Sequence, residues 1–225
     1  MPPILSVLLY CLIIFCGAVI GSFLNVCIDR ILRHENIAMT RSFRRTSISI
    51  RYPMIGAVNA LLYVFVFAVH GWGWRSVIYG LMSSALLVLS IIDIRTYEIP
   101  LEINRFLMLL GAAACLLDRG NRADHVIGFF SVSSVLYLLY LVSGGRAIGG
   151  GDVKLMAACG LLLGWRCSIL TLILGCMLGS VIHIARMVIS HADHVLAMGP
   201  YLSAAMFFSA LWGEQMIHAY VRIFF

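Results

Sequence analysis

What most constrains this chain is the arrangement of its apolar residues, which come in long runs one after another with few charges inside them. A helix needs about 20 consecutive apolar residues, roughly 17 to 25, to cross the hydrocarbon core of a bilayer. That length divides the sequence into about eight segments, at 4–27, 54–70, 76–93, 99–117, 125–142, 153–164, 167–189 and 198–213. With 62% hydrophobic residues and a mean hydropathy of +0.99, the chain carries more apolar surface than a water-soluble globule of this size can hide. The expected fold is all-α, a polytopic membrane helical bundle forming one integral membrane domain over residues 1–225. The segment at 153–164 is too short to cross alone and reads as a broken or re-entrant helix enclosed by protein. Beyond Gly213 the chain either extends the last helix or lies at the surface.

Charge supplies the orientation. The polar insert at 29–52, DRILRHENIAMTRSFRRTSISIRY, carries six arginines against two acids and is placed in the cytoplasm by the positive-inside rule. Alternating from there puts eleven of the sixteen Lys and Arg near the cytoplasmic side and the N-terminus outside. The insert can also rest on anionic headgroups, at about 1 kcal/mol per basic residue. Because the basic residues are scattered between apolar runs rather than gathered on a soluble domain, nucleic acid is not an expected partner. The first run has no basic residue before Arg30, unlike a cleavable signal, and reads as a retained span. The seven cysteines form no C-x-x-C pair and read as small buried hydrophobes.

Two acids then stand out. Asp93, in LSIIDIRTYEIP, closes the third segment, and Asp152, in IGGGDVKL, opens the sixth, so the topology delivers both to the cytoplasmic face. Ionisable residues beside membrane spans are costly to leave unpaired and are functional candidates by default. Taken singly, Asp152 reads equally as a helix N-cap, and Asp93 as an interfacial acid answering Arg95. As a pair they describe different chemistry: two carboxyl groups in a poorly hydrated site share one proton. One then activates water while the other polarises a carbonyl, as in aspartic proteases. Gly149, Gly150 and Gly151 permit close backbone approach there, and Pro100 interrupts regular helix shortly after Asp93, opening a cytoplasmic mouth. Lys154, two residues beyond Asp152, joins them as a site-shaping candidate.

These residues resemble the type IV prepilin peptidases, membrane aspartyl proteases with a GxGD signature. Gly149, Gly151 and Asp152 match the second aspartate motif, and Asp93 with Ile99 and Pro100 the first. GSFLNVCIDR at 21–30 is similar to the family's N-terminal signature, and MGPYLSA at 198–204 to its final-helix GP motif. The resemblance implies an enzyme of the bacterial inner membrane that removes the short basic leader of prepilins and pseudopilins at the cytoplasmic face. Asp93 and Asp152 would be its catalytic pair, with no metal or other cofactor, since carboxyl groups handle both proton transfers. Many members carry two C-x-x-C pairs in the first cytoplasmic loop and also methylate the new amino terminus with S-adenosylmethionine. Residues 29–52 contain no cysteine, so a zinc-bound subdomain and a methyl-transfer site are not expected here. Where the family usually has an acid directly after the proline, this chain has Leu101 and then Glu102.

Rival readings draw on other residues. A proton-coupled transporter would place acids near mid-membrane between related halves, a pattern not evident in the sequence. A serine protease would need Ser143, before Gly144 and Gly145, to meet His183 as base. HADH at 191–194 offers His191, Asp193 and His194, but the spacing fits no strong zinc pattern. His70, His125, His218 and the four tryptophans read as residues of span ends. Glu98 and Glu102 compete with Asp93 as the first acid, which only the family match prefers.

Overall fold

The computed structural model describes residues 3–32, 51–190 and 197–224. Most of the basic insert and the HADH segment lie outside the described residues. The described residues form eight helices: α1 (Pro3–Leu32), α2 (Arg51–His70), α3 (Trp74–Thr96), α4 (Leu101–Leu117), α5 (Arg122–Ser143), α6 (Gly150–Leu163), α7 (Trp165–Ser190) and α8 (Gly199–Phe224). Each stands where an apolar segment was expected, and beyond Gly213 the chain extends the last helix. Five helices are long and apolar enough to cross a membrane: Leu5–Leu32, Pro53–His70, Trp74–Thr96, Arg122–Ser143 and Trp165–Ile189. Of the eight or so expected membrane segments, five are therefore long and apolar enough to cross among the described residues, and eight crossings are not confirmed. α4 and α6 have 17 and 14 residues, and α8 carries Glu214, Gln215, His218 and Arg222 in its second half.

The chain divides into two compact units, Met1–Val88 and Leu89–Phe225, with the division inside α3. In the first unit, α1 and α2 meet through small residues. A Cβ on Gly17 would lie 2.7 Å from the Cα of Ala60, and one on Gly21 would lie 2.6 Å from the Cα of Gly56. Such small-xxx-small pairs let backbones touch where lipid supplies no hydrophobic drive between helices. Polar groups bonded across the contact reinforce it. The fully buried Asn59 donates from Nδ2 to the carbonyl of Gly17 at 2.8 Å, and its Oδ1 lies 2.9 Å from Ser84 Oγ. Ser84 Oγ is also 3.2 Å from the Tyr63 hydroxyl. Having one proton, Ser84 donates to Asn59 and accepts from Tyr63.

The second unit is organised around α6, which packs on α4, α5, α7 and α8. Leu155, Met156, Ala158, Cys159 and Leu162 of α6 are wholly buried, as a helix apolar on all sides requires. At about 1.5 Å per residue α6 is too short for the roughly 30 Å hydrocarbon core. Its short length is tolerated because protein encloses it, as the sequence led one to expect. Gly128 of α5 and Gly160 of α6 bring their backbones into direct contact, leaving no room for a Cβ on either. Near the far end of α6, buried His125 faces the Leu161 carbonyl through Nδ1 at 2.9 Å. A carbonyl only accepts, so the proton sits on Nδ1. His125 thus ties α5 to α6.

Candidate active site

Both acids belong to the second unit, and each is held by the start of a helix. Asp93 lies in the last turn of α3 and is only 3% exposed. Its Oδ2 accepts the backbone N–H of Gly199, the first residue of α8, at 2.8 Å. A Cβ at position 199 would lie 2.7 Å from that oxygen and 2.9 Å from a Leu89 methyl, so only glycine lets the chain approach. Pro200 has no N–H of its own. The amide of Gly199 is therefore a dedicated donor at the positive end of a long helix dipole.

Asp152 occupies the third position of α6, not the N-cap that the sequence allowed; the N-cap is Gly149, in extended conformation at φ −72° and ψ 139°. Glycine can cap because its own carbonyl takes the first helical bonds, here from the N–H groups of Asp152 at 3.1 Å and Val153 at 3.4 Å. An acid at the third position reaches back to the N-cap amide, the second half of a capping box. The Asp152 carboxyl does fold back: a Cβ on Gly149 would sit 3.2 Å from its Oδ2. Capping and reactivity are therefore compatible in one side chain.

The electrostatics tie the two acids together. Burial first, and then the negative charge of Asp93, raise the Asp152 carboxyl from its ordinary 3.8 to about 6, against the opposing pull of the Gly149 amide. The two residues, 59 positions apart in the chain, thus share one environment.

The link between α3 and α4 frames this environment. Thr96 Oγ1 donates to Ile92 O at 3.0 Å and accepts the Glu98 N–H at 3.3 Å. Pro100 is the N-cap of α4, with φ −61° and ψ 136°. Ile99 packs on the glycine run, where a Cβ on Gly151 would lie 2.9 Å from the Ile99 Cβ. Gly150 instead faces the ring of Tyr140 at ordinary contact distance, 3.7 Å. Lys154 is exposed and, two residues from Asp152 along a helix, points to a different face. Glu98 and Glu102 are also exposed, in contrast to buried Asp93.

The serine-protease reading finds no support in the geometry. Ser143 Oγ donates to Tyr140 O at 3.3 Å, and His183 Nδ1 is buried without a hydrogen-bond partner, so no bond joins them. Among the described residues no three His, Cys, Asp or Glu side chains are grouped to hold a metal.

Two contributors went unmarked in the sequence. Gly199 was visible only as part of a GP motif, without its partner. Asn104 is buried and donates from Nδ2 to the carbonyl of Gly151 at 3.3 Å. Its signal was present: Ile103, Asn104, Leu107, Leu110, Gly111 and Ala114 form the buried stripe of α4, and an amide on an apolar stripe calls for a partner.

The model of the type IV leader peptidase family matches residues 80–184, which include both aspartates. A prepilin leader peptidase/N-methyltransferase of Pseudomonas aeruginosa is 30% identical over 185 residues, covering 79% of this chain and 64% of that protein. A protein of the same name from Aeromonas hydrophila is 32% identical over 184 residues, covering 79% and 63%, and one from Stutzerimonas stutzeri is 31% identical over 187 residues, covering 79% and 64%. The aligned part of the chain spans a little under two thirds of the length of these relatives. No solved structure matches the chain. With both aspartates inside the matched stretch and relatives of one name aligned over most of its length, the chain is similar to the type IV leader peptidase family.

Proposed function

We propose that this protein is a membrane-embedded aspartic endopeptidase of the bacterial inner membrane. It removes the short basic leader from type IV prepilins or pseudopilins at the cytoplasmic face, with Asp93 and Asp152 as its catalytic pair. The observation that carries this reading is the coupling of the two acids, the charge on Asp93 being one cause of the raised pKa of Asp152. A dyad with one proton has one base and one acid. The ionised carboxylate takes a proton from water as the water oxygen bonds to the scissile carbonyl carbon, and the other carboxyl gives its proton to the carbonyl oxygen. The tetrahedral diol collapses, the C–N bond breaks, and a proton passes to the leaving amine. One water is consumed and the dyad keeps one proton.

Gly149, Gly150 and Gly151 shape the site by letting the Asp152 carboxyl, Tyr140 and Ile99 approach the backbone, and Pro100 ends the α3–α4 link that carries Ile99. Lys154 is assigned to the rim, where its exposure lets it meet substrate or headgroups. The six arginines of the insert at 29–52 suit contact with anionic headgroups. A bifunctional peptidase and N-methyltransferase is the second reading, favoured by the relatives' names. The absence of cysteine from residues 29–52 favours cleavage alone.

The test is cleavage of a prepilin-like substrate by purified wild type, Asp93→Asn and Asp152→Asn, with folding checked in each. Both variants should be inactive, and full activity in either defeats the assignment. Adding a labelled methyl donor to the cleaved product distinguishes the two readings, and solute flux across vesicles without cleavage would favour a transporter.

A further inference from the structure

We propose that Asn104 is a positioning residue for Asp152, fixing the peptide plane from which the Asp152 side chain departs. The inference rests on the dyad reading above and adds a residue that neither aspartate motif contains.

The tether is specific. Asn104 Nδ2 lies 3.3 Å from the carbonyl oxygen of Gly151, the residue immediately before Asp152. Since a carbonyl oxygen only accepts, the amide cannot be flipped: the atom facing Gly151 must be nitrogen. The same peptide unit is held at its other end, where the N–H of Asp152 donates to Gly149 O at 3.1 Å. Ile99 closes the third side, filling the space that a Gly151 side chain would need. With its carbonyl bonded, its N–H bonded and its α-carbon packed, the 151–152 peptide has one orientation. The direction of the Asp152 Cα–Cβ bond follows from it. Three glycines in a row before Asp152 would otherwise leave this helix start loose, because glycine restricts φ and ψ least.

The remaining half of the amide argues that the position serves the site rather than the fold. Asn104 Oδ1 is buried and has no hydrogen-bond partner among the described residues. An orphaned buried acceptor costs stability, and leucine, nearly the same shape, would carry no such cost. A residue kept for packing alone would not retain this defect, whereas one kept to donate to Gly151 must bring its oxygen along.

Three purified proteins separate the outcomes: wild type, Asp152→Asn and Asn104→Leu, each measured for thermal unfolding and for kcat and KM on the same prepilin-like substrate. Asn104→Leu should unfold at or above the wild-type temperature, with kcat about 10- to 100-fold lower, as small misplacements of reacting groups cost, and KM unchanged. Asn104→Ser, which is too short to reach Gly151, should repeat the kcat loss and guards against poor packing of leucine. If Asp152→Asn cleaves normally, the dyad reading itself fails. If Asp152→Asn is dead while Asn104→Leu keeps wild-type kcat, the positioning role alone is overturned. A rise in KM at constant kcat, or loss of the fold in both Asn104 variants, would overturn it too, the first by making Asn104 a substrate contact and the second by making it structural.

Discussion

Replacing Asp152 by asparagine should make the protein more stable, and more so as pH rises. The carboxyl is held at about 6 against an ordinary 3.8, first by burial and then by the charge of Asp93. A raised acid favours its neutral form, so its stabilising contribution is complete below 3.8 and is lost as pH climbs through about 6. Two pKa units at 1.36 kcal/mol each set a ceiling of about 3 kcal/mol, and screening by solvent at a half-buried group reduces this to about 1–2 kcal/mol. For a chain of this size each kcal/mol moves the unfolding temperature by about 2–4 °C. Asp152→Asn should therefore match wild type near pH 4 and unfold roughly 2–8 °C higher at pH 8. The measurement is thermal unfolding in detergent at one scan rate, across pH 4 to 8. Asp93→Asn supplies the control: it removes the second cause but not the first, so the pH midpoint of the Asp152 effect should move part of the way back toward 3.8. A stability difference that is flat with pH, or that grows toward acid, would refute the reasoning, because the second pattern belongs to a carboxylate stabilised by a partner.

Three other substitutions probe the frame around the acids. Gly199→Ala pushes a methyl to 2.7 Å from Asp93 Oδ2, and should lower kcat by about 10- to 100-fold while costing about 1–3 kcal/mol of stability, read by cleavage kinetics and thermal unfolding together. Gly160→Ala drives a side chain into the Gly128 backbone and should cost at least about 1–3 kcal/mol, since neither helix can yield as a flexible side chain would. Asn59→Ala leaves the Gly17 carbonyl and Ser84 without their shared partner and should cost about 1–3 kcal/mol in unfolding measurements, with cleavage by the folded fraction unchanged.

Much of the fold was legible because a lipid-facing helix must be apolar along its whole length, and a run of that kind is visible without knowledge of any partner. Helix ends were legible where glycine or proline dictates them: Gly71 ends α2 at φ 66° and Gly164 ends α6 at φ 83°, while Pro100 begins α4. The number of crossings was less legible. α6 is as apolar as its neighbours, and its shortness becomes acceptable only once other helices enclose it. Pairing was least legible. GAVIG in α1 shows its two glycines openly, yet nothing local says that Gly56 and Ala60 will face them. Asn104 likewise reads as one polar residue on an apolar stripe until the Gly151 carbonyl is placed beside it.

The position of Asp152 shows how a local rule can identify the right residue and misplace it. Asp after glycine and before an apolar run fits an N-cap, but the cap lies at Gly149, and the acid enters the helix as its third residue. That shift of three positions has a chemical consequence. An N-cap aspartate would turn its carboxylate wholly toward its own helix amides, which would hold it ionised. At the third position the side chain makes one backward contact to Gly149 and remains open to the charge of Asp93. Asp93, for its part, takes a single amide from α8, because Pro200 withholds the next. Each acid is thus anchored by one backbone N–H at a helix start. One anchor fixes a carboxyl in place and leaves its second oxygen for protons, which is the arrangement that a shared-proton pair requires.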